Sequence, residues 1–144
     1  SAGNNSERLV MVKRLNILFI DDDEVERMKF SRVCSSTNFK PTVIEAVNGE
    51  DALSKLENPT SDIIFLDLNM PKMNGIEFLK ILKSDSRLKF IPTIILSSSD
   101  KYEDLKTCYE LGIAGYIIKP LRYEDYTKNI TTMLDYWSNN ELLN

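Results

Sequence analysis

Ile63-Ile64-Phe65-Leu66-Asp67-Leu68-Asn69-Met70-Pro71-Lys72-Met73-Asn74-Gly75 begins with a short apolar run that stops at an acid. Four residues are too few for a helix, and a compact Ile/Phe/Leu run reads as a strand buried on both faces, as parallel strands are. Asn74-Gly75 supplies a turn. Phe78, Leu79 and Leu82 then recur at three- and four-residue spacing, the stripe of an amphipathic helix. The same alternation extends in both directions. Leu15–Ile20, Thr42–Ala46, Thr93–Leu96 and Tyr116–Ile118 read as further buried strands. Ala52, Leu53 and Leu56 form one more helical stripe, and Leu105, Cys108 and Tyr109 another. Tyr126, Ile130, Met133, Leu134 and Trp137 form a longer last one. The helix expected over residues 24–36 is less regular, because Val25 and Met28 lie off the face of Phe30, Val33 and Cys34. Asn48-Gly49 and Asn58-Pro59 mark turns, and Gly112 stands where a helix should stop. Five β/α units in succession predict an α/β fold, a doubly wound five-stranded parallel sheet with helices on both faces.

Composition narrows the function. The 144 residues suit one domain, and a 42% apolar share supports a real core. Eighteen basic against twenty-two acidic residues give a net charge of −4, which argues against nonspecific nucleic-acid binding. No apolar run approaches the ~20 residues of a membrane span, and no secretory signal is recognisable. Two cysteines, Cys34 and Cys108, fit a reducing compartment, so a cytoplasmic protein is expected. With no histidine, the chain holds no imidazole for acid–base work, metal binding or phosphohistidine relay. Residues 1–14 are expected to be a flexible polar tail, 15–139 the domain, and 140–144 a short tail that frays. Only one helix fits after Lys119, so a stand-alone regulator without a DNA-binding domain is expected.

In doubly wound sheets the site lies at the carboxyl ends of the strands. Strand one ends in Asp21-Asp22-Asp23, strand three in Asp67, strand four in Ser97 and strand five in Lys119-Pro120. Each group has an ordinary reading: a helix cap for Asp22 or Asp23, a turn hydroxyl for Ser97, a solvated loop lysine for Lys119. Jointly those readings are weak, because separate strand ends all carry groups suited to one reaction. Clustered carboxylates repel and retain a proton unless a cation neutralises them. A site rich in carboxylates and without His or Cys suits a hard, oxygen-seeking ion such as Mg²⁺. Asp67 then has the properties of a nucleophile toward phosphorus, with Lys119 and Ser97 available to phosphoryl oxygens.

Four motifs make the pattern specific. They are Ile17-Leu18-Phe19-Ile20-Asp21-Asp22, Leu66 through Gly75, Pro92-Thr93-Ile94-Ile95-Leu96-Ser97-Ser98, and Gly115-Tyr116-Ile117-Ile118-Lys119-Pro120. Over about residues 15–138 the sequence resembles the CheY-like receiver domains of two-component response regulators. The resemblance implies Asp67 as phosphoacceptor, Asp22 as a direct Mg²⁺ ligand and Asp21 as one acting mainly through water. It implies that the Asn69 backbone carbonyl completes the metal shell, and that Ser97 and Lys119 contact the phosphoryl group. Tyr116 matches the aromatic position whose ring moves inward when the switch hydroxyl engages phosphate; ordinary strand packing is its other reading. Asp23 is a third acid where the family accepts many residues, and is assigned to helix capping. The implied partners are a sensor histidine kinase or histidine phosphotransfer protein, a downstream protein target, and a second copy of the chain through the last-helix face.

Three other readings compete. Asp21-Asp22-Asp23 contains the Asp-x-Asp of haloacid-dehalogenase-like phosphatases, but Glu24-Val25 follows where those enzymes place a flexible turn. A flavin-binding module needs a Ser/Thr/Gly-rich phosphate loop after strand one, where an acidic triplet would repel the ligand. A degenerate receiver acting only as a binding module is opposed by the complete set of Asp21, Asp22, Asp67, Ser97 and Lys119.

Overall fold

The computed structural model describes residues 14–58 and 61–143. The N-terminal tail expected over 1–14 lies, except for Arg14, outside the described residues, as does Pro59 of the Asn58-Pro59 turn. Strands β1 (Asn16–Ile20), β2 (Thr42–Ala46), β3 (Ile63–Leu66), β4 (Thr93–Ser97) and β5 (Gly115–Ile118) alternate with five helices. These are α1 (Glu24–Ser36), α2 (Gly49–Lys55), α3 (Gly75–Ser84), α4 (Tyr102–Glu110) and α5 (Tyr123–Ser138). All pairings are parallel, in the order β2-β1-β3-β4-β5. The expected doubly wound sheet is therefore the observed one.

Each face of the sheet has its own core. Leu18, Ile20, Ile64, Leu66 and Ile95 point to one side, where Ala52 and Leu56, Phe78, Leu79 and Leu82 of α3, and Cys108 of α4 cover them. Ile17, Phe19, Ile63, Phe65, Ile94 and Leu96 point to the other, against Phe30 and Val33 of α1 and Tyr126, Ile130 and Leu134 of α5. This is the period-two alternation of a strand, with both sides apolar. Phe30 ties the second core together: its ring stacks on Phe19 at 4.2 Å and tilts against Phe65 at 5.0 Å. Such pairs add about 0.5–1.5 kcal/mol beyond the area they bury.

Three expectations need correction. Only β1, β3 and β4 are buried throughout or nearly so; β2 and β5 are the sheet edges and stay partly exposed. Tyr109 does not belong to the buried stripe of α4: it faces outward, and Cys108 alone is fully buried there. The C-terminal residues do not simply fray, because Leu142 packs back against the α1/α5 core. As the off-stripe positions suggested, Val25 and Met28 are exposed. Gly112 ends α4 with φ +96°, a conformation an L side chain rarely adopts. Both cysteines are buried free thiols, and burial pushes Cys34 up to about 12 and Cys108 up to about 11.

Candidate functional site

The sheet holds the site residues by continuing its hydrogen bonding just past the strands. The Asp21 N–H donates to Ala46 (3.1 Å), the Asp67 N–H to Ile20 (3.0 Å) and the Lys119 N–H to Ser97 (2.8 Å). Three groups from separate strand ends are thus fixed to one edge before any side chain is considered.

Asp21 is buried and both its oxygens are engaged. Oδ1 accepts from the Asp23 N–H at 3.0 Å, and Oδ2 accepts from Lys119 Nζ at 2.9 Å. Asp22 is exposed at the mouth of the site. Asp23 caps α1: its side chain accepts from the Val25 N–H at 2.9 Å. The capping role assigned to it agrees with that geometry.

Asp67 is almost entirely buried, with a carboxylate oxygen 3.9 Å from Lys119 Nζ. Burial pushes its carboxyl up to about 6. Lys119 opposes that rise, Asp21 adds to it, and the N–H groups of Asn69 and Leu68 pull it back down. The loop beyond Asp67 turns sharply into α3, with the Gly75 N–H on the Leu68 carbonyl at 3.0 Å. A Cβ at Gly75 would lie 2.6 Å from Leu68 Cα and closer still to the Asp67 carbonyl oxygen, so only glycine permits that approach. Asn74 caps the helix by accepting from the Glu77 N–H at 3.0 Å.

Asp21, Asp22 and Asp67 each present an oxygen within 4.8 Å of the others. Three carboxylates at that spacing, beside one ammonium and without nitrogen or sulfur ligands, fit a hard divalent cation. Burial works against the charge on Lys119. The hydrogen bond to Asp21 and the charges of Asp67, Asp21 and Glu26 outweigh it, and its ammonium is held above the ordinary lysine range.

Ser97 is fully buried at the end of β4, where its Oγ accepts from the Ser99 N–H at 3.2 Å. Tyr116 lies on β5, and its hydroxyl donates to the Ser99 carbonyl at 2.8 Å. Ser97 and Tyr116 therefore converge on one loop residue, Ser99. Tyr116 also lines a groove with Tyr109, Met133, Tyr136 and Trp137 between α4, β5 and α5.

Two site residues escaped the sequence reading. Arg27 Nη1 donates to the Asp21 carbonyl at 2.9 Å, and its Nε pairs with Glu45 at 3.2 Å, bracing the end of β1. Glu26 places Oε2 3.8 Å from Lys119 Nζ. Neither carries a local signal, because the partner of Glu26 is Lys119, far along the chain, and that of Arg27 is a backbone carbonyl.

The comparisons with known proteins agree. Residues 17–131 match the family model described as the response regulator receiver domain. The chain is 33% identical over 120 residues to the two-component response regulator ORR5 of Oryza sativa subsp. japonica, covering 83% of this chain and 88% of that protein. It is 40% identical over 121 residues to a protein-glutamate methylesterase/protein-glutamine glutaminase of Treponema denticola, covering 83% of this chain but only 32% of that longer protein. Among solved structures, the phosphorylated cyanobacterial phytochrome response regulator RcpA superposes with a TM-score of 0.86 at 25% identity, over 92% of this chain and 100% of that one. The Mn²⁺-bound response regulator Rcp1 gives 0.83 at 26% identity, over 90% and 99%. With the family model matched over most of the chain and the five-stranded sheet shared with those structures, the chain belongs to the response regulator receiver domains and functions as a receiver in two-component signalling.

Proposed function

We propose that Asp67 accepts a phosphoryl group from the phosphohistidine of a sensor histidine kinase or histidine phosphotransfer protein, in a Mg²⁺-dependent reaction. The observation that carries this reading is the meeting of Asp21, Asp22 and Asp67 within 4.8 Å, with Lys119 between two of them at 2.9 and 3.9 Å. An Asp67 oxygen attacks phosphorus, the phosphorus–nitrogen bond breaks, and the electron pair leaves with the imidazole. Hydrolysis of the resulting acyl phosphate returns the carboxylate, so the domain promotes its own phosphorylation and dephosphorylation.

Asp22 and Asp67 serve as direct metal ligands, and the Asn69 carbonyl completes the set. Asp21 acts mainly through water, which suits a carboxylate whose two oxygens are already engaged. A cation held there would supply positive charge to offset the carboxylates and the incoming phosphoryl group. Lys119 and Ser97 hold phosphoryl oxygens. Engagement of Ser97 draws the loop at Ser99, and with it Tyr116, so the α4-β5-α5 groove changes shape for a downstream protein target. The face of α5 also offers a homodimer contact. A cytoplasmic location fits the buried free thiols. The phosphatase alternative needs a flexible turn after Asp23, and here Asp23 caps a helix instead.

Incubation with acetyl phosphate and Mg²⁺ should add one phosphoryl group, a gain of ~80 Da on one carboxylate. Asp67→Asn should abolish it. A gain that persists in that variant and maps elsewhere overturns the assignment.

A further inference from the structure

Glu26 is the third carboxylate around Lys119. Its Oε1 accepts from Lys29 Nζ at 3.2 Å, and that ammonium lies 4.4 Å from the ring centroid of buried Tyr126. Lys29 is thereby fixed between a carboxylate and an aromatic face, and it anchors Glu26 by one oxygen. The other oxygen, Oε2, is buried and accepts no hydrogen bond from the described residues. An orphaned carboxylate oxygen is costly to bury unless a charge lies near it. The charge is Lys119 Nζ, at 3.8 Å. That distance is too long for a hydrogen bond and short enough for strong Coulomb attraction in a water-poor site.

Lys119 therefore faces Asp21 at 2.9 Å, Glu26 at 3.8 Å and Asp67 at 3.9 Å, on three different elements. We propose that Glu26 tempers Lys119 through charge alone: it draws on the ammonium's field from α1 and so limits the grip of Lys119 on an anion carried by Asp67. This rests on the phosphoacceptor reading of Asp67. Asp21 already fixes the place of Lys119 by a hydrogen bond, so the ammonium stays where it is without the Glu26 charge. Removing that charge leaves more of the ammonium's field for a phosphoryl group. Damage to packing would have the opposite sign, because a loosened site binds its anion less well.

The test uses the whole chain, saturating Mg²⁺ and beryllofluoride as the phosphoryl mimic, with bound fluoride followed by fluorine NMR. Glu26→Gln keeps the shape of the side chain and its contact with Lys29, and should bind the mimic several-fold more tightly than the wild type. Glu26→Asp keeps the charge and should return the affinity toward the wild-type value. Glu24→Gln makes the same charge change on an exposed position of the same helix and should have no effect. Weaker or unchanged binding in Glu26→Gln, or an equal gain in Glu24→Gln, overturns the proposal. Failure of the wild type to bind the mimic overturns the phosphoacceptor reading, and this inference with it.

Discussion

The two halves of the strand-end surface are built differently. At β1 and β3 the strands are central, their side chains are buried, and Asp21 and Asp67 are locked by backbone hydrogen bonds into the sheet. At β5 the sheet ends. Its residues are half-buried, Ile118 is 48% exposed, and Tyr116 reaches a loop carbonyl rather than another strand. The rigid half suits chemistry, which needs groups held in place before the reaction. The edge half suits reporting, because a partly exposed strand and a groove can change shape at small cost. Ser97 stands at the boundary, buried like the first half and bonded to Ser99 of the second.

Breaking the rigid half should cost most. In Gly75→Ala the new methyl group meets the backbone of Asp67 and Leu68, which cannot swing aside. A loss of about 2–4 kcal/mol in unfolding free energy is expected, alongside slowed phosphoryl acceptance at Asp67. Denaturant melts and acetyl phosphate labelling would show both. Unchanged stability would mean the loop is more pliable than the comparison allows.

Cutting the boundary comes next. Ser97→Ala should leave Asp67 able to accept phosphate, since the hydroxyl is not the nucleophile. It should remove a hydrogen bond to a charged group worth about 1.5–3 kcal/mol, enough to decouple the edge. Beryllofluoride should then no longer alter Trp137 fluorescence. A full response in the variant would merge the two halves into one.

A subtler test weighs the strain kept in the rigid half. Asp67 holds its proton to about 6 in the folded chain, against roughly 3.9 for an ordinary aspartate. As pH rises between those values, the unfolded chain ionises first and the folded state loses relative stability; the loss is complete above pH 6. Asp67→Asn should therefore melt later than wild type at pH 7 in chelator, by about 1–2 kcal/mol after allowance for solvent screening. The advantage should vanish below pH 4. By the same sign, Mg²⁺ binding to wild type should weaken as pH falls through 6.

The smallest effect separates neighbours. Asp23→Ala loses a helix cap and about 1 kcal/mol, with Mg²⁺ affinity unchanged, whereas Asp22→Ala should lose affinity steeply. Equal metal losses, measured by calorimetry, would place the boundary of the site one residue away from where the cap puts it.

Much of the rigid half is legible in the sequence. Buried parallel strands are short Ile/Leu/Phe runs, and acids that end such runs, as at Asp21 and Asp67, must gather on one edge of a doubly wound sheet. The edge half was harder to read. Glu45 is the one local mark of an edge in Thr42–Ala46, and Tyr116–Ile118 carries none, because edge position follows mainly from strand order. Tyr109 has the spacing of a core residue, yet its position on α4 turns it outward. Glu26 was invisible as a site residue because its meaning depends on Lys119, ninety-three positions later, as Arg27 depends on the carbonyl of Asp21. Leu142 finds the α1/α5 core only through a turn that follows α5.

The hydrogen bonds that carry the Asp21, Asp67 and Lys119 backbones one step past their strands also have a consequence in time. Amides held in the middle of a sheet open only when most of the molecule opens, so the Asp67 amide, bonded between the central strands, should exchange with solvent deuterium as slowly as the core itself, and the Lys119 amide at the β5 edge faster. A phosphoryl group on Asp67 would then sit on a backbone that does not breathe locally. Its lifetime would be governed by the access of one water molecule to phosphorus, and a change at the mouth of the site, near Asp22 or Asn69, could lengthen or shorten the signal without altering the stability of the fold.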